Sequence, residues 1–152
     1  MRKNIFLFST LAAVLMIVSC SKNEDSNVSI VGTWRAEESV TVHYVDGEFY
    51  DSQVVKPNGE LNIEFRQDGS LTLMEKDGAT ISTTSGTYMV AVNALIMNIN
   101  KLGIDDKIVV ESQSMVIESL TGSSLILSSE QSETRGGKVH KYIGNSSFKR
   151  VI

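Results

Sequence analysis

From Val28 onward, apolar residues recur at every second position in short runs, and each run ends in residues that favour tight turns. Ser39-Val40-Thr41-Val42-His43-Tyr44 alternates polar and apolar, the signature of a strand with one wet and one dry face. Asp46-Gly47 supplies the positive φ values of a two-residue hairpin, and Glu48 to Val55 returns. Lys56-Pro57-Asn58-Gly59 has turn composition. Leu61, Ile63 and Phe65 then alternate with Asn62 and Glu64, and Gln67-Asp68-Gly69 reverses the chain into Leu71 and Leu73. Asp77-Gly78 reverses it again into Ala79 to Thr84. Gly86 opens a strand carrying Tyr88, Val90 and Val92. Asn93-Ala94 is the next corner, and Leu95, Met97 and Ile99 follow it. After a loop over Gly103 to Asp106 come Lys107 to Val110 and Met115 to Leu120. Thr121-Gly122-Ser123 turns the chain into Leu125 and Leu127. Glu130 to Gly137 is polar throughout and ends in Gly-Gly, so it is predicted as a mobile loop before Lys138 to Ile143 and Ser147 to Val151.

No apolar spacing of helical period is long enough for a crossover helix. Neighbouring strands joined by short turns are therefore antiparallel. Closure removes the exposed edges that so many successive strands would leave. The expected fold is all-β, an antiparallel up-and-down meander of about eight strands closing into a barrel.

The N-terminus reads differently. Arg2 and Lys3 precede an apolar run from Ile5 to Val18 broken only by Ser9 and Thr10. That run falls short of the roughly 20 apolar residues that cross a bilayer, and it has the anatomy of a secretory signal helix. Ile17-Val18-Ser19-Cys20 resembles a bacterial lipobox, which implies cleavage before Cys20, a diacylglyceryl group on its thiol and acylation of the new amine. Two or more chains make such an anchor stable, at about 0.8 kcal/mol per buried methylene. Residues 1–19 are thus expected to be a lipoprotein signal peptide and 20–28 a lipidated Cys with a flexible linker, since 21–27 contain no apolar residue. Residues 29–152 form the folded domain. Lys22, Glu24 and Asp25 are similar to the acidic export signals of Bacteroidota surface lipoproteins. The expected address is the outer membrane, at the cell surface or the periplasmic face.

Composition narrows the partners. Loss of Arg2 and Lys3 takes the formal charge from −4 to −6, and no basic cluster remains, so nucleic acid is not an expected partner. Cys20 is the only cysteine, which leaves no internal disulfide to staple the domain.

Gly32-Thr33-Trp34 resembles the Gly-x-Trp opening of lipocalins. The turn Phe65-Arg66-Gln67-Asp68-Gly69, the strand Gly86-Thr87-Tyr88, the hairpin Ile117 to Leu127 and the ending Phe148-Lys149-Arg150 follow in order, as in the lipocalin-like domain of small bacterial lipoproteins. The resemblance implies an up-and-down barrel, often with a cavity for a small apolar ligand. It also implies that Trp34 closes the barrel floor with Arg150 packed over it. Secreted lipocalins carry terminal cysteines and a flanking helix that this chain lacks, so a hollow and a filled barrel both stay open.

Chemistry-bearing groups are few. His43 and His140 have no ligand at metal-binding spacing, so they read as structural or solvated, and no metal or cofactor is expected. Glu37-Glu38 and Asp105-Asp106 are adjacent on strands or loops and cannot share a substrate, and Glu64 with Glu118 could meet only across a barrel. There is no Gly-x-Ser-x-Gly elbow and no glycine-rich phosphate loop. A non-catalytic role is therefore expected. A small hydrophobic ligand would be met by Tyr44, Phe49, Tyr88, Met97 and Tyr142. The alternative is a ligand-free structural or protein-interaction module of an envelope complex.

Overall fold

The computed structural model describes residues 28–103 and 107–152. The expected signal peptide, Cys20, the linker before Val28 and the Asp105-Asp106 pair lie outside the described residues.

Nine strands account for almost all of the described chain: β1 (Gly32–Val45), β2 (Glu48–Val55), β3 (Glu60–Phe65), β4 (Ser70–Asp77), β5 (Thr80–Ala91), β6 (Ala94–Leu102), β7 (Ile108–Leu120), β8 (Ser124–Arg135) and β9 (Lys138–Val151). Every pairing is antiparallel, and β1 pairs with β9 from Thr33↔Val151 to Val45↔His140, which joins the first strand to the last. The alternating runs thus close into a barrel of eight strands with one extra.

The extra strand arises because the second strand of the meander is broken. β2 and β3 run in the same direction along the same edge of β1, β2 beside Ser39–Val45 and β3 beside Gly32–Arg35. Between them residues 56–59 leave the ladder. Pro57 has no N–H to donate and restrains the residue before it, so pairing cannot run through it. The excursion presses on β4 so closely that a Cβ at Gly59 would lie 1.9 Å from the Lys76 carbonyl oxygen.

Other ladders also stop partway. β5 pairs with β6 only from Gly86↔Ile99 to Ala91↔Ala94, and β7 pairs with β8 only from Val116↔Ser128 to Leu120↔Leu125. The barrel is therefore continuous at one end and divides at the other. The divided end consists of the three-stranded unit β3-β4-β5, the β6–β7 hairpin and the four-stranded ribbon β2-β1-β9-β8.

Burial follows that division. The buried side chains Trp34, Ile63, Phe65, Leu71, Leu95, Leu125 and Phe148 belong to the continuous end, and no polar or charged residue is buried among the described residues. In the ribbon the inward row becomes polar toward the mouth. A β-bulge between Ala36 and Glu38 sets this register, because the extra residue turns Ser39, Thr41 and His43 inward where plain alternation would place Glu38.

One sequence expectation is corrected here. Glu130 to Gly137 is not a loop: β8 continues to Arg135, and Gly136-Gly137, both at positive φ, make the turn into β9. Glu130 to Arg135 are all exposed, so no face carries the apolar alternation by which a strand is read from sequence.

Candidate functional site

The floor is built first. Trp34 is fully buried and its Nε1 donates to the Ile30 carbonyl at 2.7 Å. Arg150, opposite it on β9, places its guanidinium 4.3 Å over the indole ring. From there Nη1 donates to Val31 O at 2.9 Å and Nη2 to Ser29 O at 2.8 Å. Phe65 packs edge-on against Tyr88 at 4.8 Å, and the Tyr88 hydroxyl donates to Arg66 O. Burial, and secondarily the charge of Asp68, raises the Tyr88 phenol above its usual value. Side chains fill this end.

The first concavity lies where β1 parts from β3. It is a cleft of about 380 Å³, within the range of roughly 300–1,000 Å³ usual for small-ligand sites. Ala36, Val55, Pro57, Leu61 and Phe148 give it an apolar lining, Ser39 and Ser146 supply hydroxyls, and Glu38, Glu60, Glu75, Lys76 and Asp77 also line it. Ser39 Oγ and Ser146 Oγ are 3.1 Å apart, so the two strands are pinned together behind the cleft. Lys56 reaches Glu38 at 3.7 Å.

The second feature lies four residues farther along β1, roughly 13 Å at the rise of a strand. His43 Nδ1 is 3.2 Å from Asp51 Oδ1 on β2, and His43 Nε2 is 3.0 Å from His140 Nδ1 on β9. Tyr142, paired with His43, stacks on its ring at 4.4 Å, and Tyr50 meets it edge-on at 5.0 Å. The Tyr142 hydroxyl donates to Glu133 Oε1 at 3.4 Å, and Arg135 Nη2 reaches the same oxygen at 2.9 Å. Among the described residues no group of three or more His, Cys, Asp or Glu side chains forms a metal cage.

The five side chains expected to meet a ligand are not brought together. Tyr88 and Met97 are neighbours across β5 and β6 in the packed end, and Met97 is buried. Tyr142 belongs to the histidine cluster. Tyr44 and Phe49 contact each other at 6.3 Å on the opposite face of the ribbon, where Phe49 is 64% exposed. Glu64 and Glu118 do not converge either. Glu64 is engaged by Arg66 and Glu118 by Ser128.

Sequence reading missed the cleft residues Ala36, Val55, Leu61 and Phe148, and it missed the meeting of His43 with His140. The apolar alternation of Leu61 and Phe148 was visible, but the break that opens a cleft beside them depends on Pro57 leaving the ladder. The histidines are 97 positions apart, and only the β1–β9 register joins them.

Against known proteins, a family model described as a lipocalin-like domain matches residues 30–127. A crystal structure of a lipocalin-like protein from Bacteroides uniformis ATCC 8492 aligns with 80% of this chain and 97% of its own, at 17% identity and a TM-score of 0.49. No curated protein matches.

Proposed function

The chain belongs to the lipocalin-like domain family, and from that premise we propose that it is a lipid-anchored, non-catalytic binding protein of the cell envelope, held to the outer membrane through Cys20. Its ligand is a small, largely hydrophobic molecule taken into the cleft between β1 and β3. The observation that carries this reading is the cleft itself, an apolar lining with a pair of serine hydroxyls and charged groups around it. A ligand there buries apolar surface against Phe148 and Leu61 and keeps its polar end toward the charged groups. The packed end holds buried side chains where a hollow cup would hold a ligand, so the site is the lateral cleft.

Native mass spectrometry of the protein extracted in detergent from its own envelope tests the binding. The expected result is a stoichiometric small-molecule adduct that is lost in Leu61→Lys. Protein that is repeatedly empty, or an adduct indifferent to that substitution, overturns it. The anchor is tested separately, because Cys20→Ala is expected to abolish acylation and release a folded domain from the membrane fraction.

A second reading, a ligand-free interaction module, is favoured by the exposed Leu102, Ile108, Val109 and Val110 on the β6–β7 hairpin. Empty protein that co-purifies with one envelope partner, and loses it in Val109→Glu, would select that reading.

A further inference from the structure

We propose that His43 and His140 form a two-nitrogen chelate for a late first-row divalent metal ion, Cu2+ foremost, at the mouth of the barrel. The site is distinct from the cleft and does not depend on a ligand there.

The tautomers come first. Asp51 Oδ1 lies 3.2 Å from His43 Nδ1, and a carboxylate has only lone pairs to offer, so His43 carries its proton on Nδ1. Its Nε2 lone pair then faces His140 Nδ1 at 3.0 Å. A carboxylate holding the far nitrogen of an imidazole is the arrangement that orients metal-binding histidines and raises their basicity. The two ring planes are within 22° of each other with centroids 5.2 Å apart, so the rings meet head-on through their nitrogens, and one proton on His140 bridges them.

A metal ion replaces that proton. With metal–nitrogen bonds of 2.0–2.1 Å, nitrogens 3.0 Å apart subtend roughly 91–97° at the ion. That is the cis angle of a tetragonal site, which suits Cu2+ and Ni2+ better than the tetrahedral preference of Zn2+. Each ring must turn about its Cβ–Cγ bond so that the lone pairs converge, and the proton that leaves His140 Nδ1 is replaced through solvent by one on its Nε2, so that both rings bind as neutral imidazoles. The other coordination positions take water. Tyr142 stacked on His43 limits that ring's freedom. Asp51 and Glu133, which pairs with His140 across β8 and β9, add negative charge, while Arg135 bound to Glu133 offsets part of it.

The test uses the full chain in detergent with Cys20→Ser, so that unlipidated protein carries no thiol to compete for the ion. Cu2+ is titrated against a chelator of known affinity, and the bound ion is examined by electron paramagnetic resonance. The expected result is one equivalent of Cu2+, an axial spectrum with superhyperfine structure from two imidazole nitrogens, and affinity in the order Cu2+ above Ni2+ and Zn2+. His43→Gln and His140→Gln should each weaken binding at least tenfold, and Asp51→Asn by about 10- to 100-fold. A spectrum with one nitrogen or none overturns the chelate whether or not any variant folds. So does binding to the parent chain no tighter than to the double histidine variant.

Discussion

Gly32, Trp34 and Arg150 explain one another at atomic detail. Gly32 has φ of +135°, and a Cβ on it would lie 2.7 Å from Arg150 Nη1. Only glycine leaves both the backbone angle and the space that the guanidinium needs. Arg150 in turn holds the carbonyls of Ser29 and Val31 while covering the indole face. Arg150→Ala should therefore cost about 1–3 kcal/mol, from the lost charged hydrogen bonds and the cation–π contact. The measurement is the urea midpoint, with an unchanged m-value marking a loss of stability alone. A variant as stable as the parent would show the contact to be incidental. The Gly-x-Trp opening was readable in the sequence as a resemblance. Its reason was not, because the arginine that requires the glycine lies more than a hundred residues away.

The turns show the next scale, and the β3–β4 connection is the clearest case. Asp68 Oδ1 accepts from the Ser70 amide at 2.9 Å and from its hydroxyl at 2.6 Å. These bonds, the hydroxyl first, hold the Asp68 carboxyl below its ordinary value of 3.8. A lowered carboxyl stabilises the fold fully above the ordinary value and stops doing so as the pH falls through the lowered one. Ser70→Ala should raise the Asp68 titration midpoint toward the ordinary value, read from its carboxyl carbon by NMR, and bring acid unfolding to a slightly higher pH. An unmoved midpoint would discard the account. This turn was legible as Gln67-Asp68-Gly69, and so were the runs at Leu61 to Phe65 and Leu95 to Ile99, because each has one buried face. The tip of β8 was not legible, since both faces of Glu130 to Arg135 meet water. The break between β2 and β3 was half legible: Pro57 marked a turn, but nothing local said that the strand after it would resume on the same edge of β1.

For the molecule as a whole, stability is expected to be graded from floor to mouth. The packed end combines a continuous ladder with buried side chains, whereas toward the mouth β5 parts from β6 at Gly86 and β7 parts from β8 at Val116. Regions with few buried contacts open locally at low free energy. Hydrogen exchange should thus be slowest at Trp34, Phe65, Leu95 and Leu125, and much faster at residues 77–85 and 130–138. Uniform protection over all nine strands would contradict the division.

The chain enters β1 and leaves β9 at the same end, with Thr33 opposite Val151, and Arg150 ties the incoming segment down there. Fourteen residues of β1 then carry the chain roughly 45 Å away. Any tension applied through residues before Val28 is received by the Ser29–Val31 segment and its arginine clamp, and the antiparallel β1–β9 ladder takes it in shear along its length. Ser39 with Ser146 and His43 with Tyr142 lie farther along that same ladder, so the rungs at the floor take the load before it reaches the cleft or the histidines. A pull from that side is spent at the floor, and the mouth, at the far end of the ladder, feels it last.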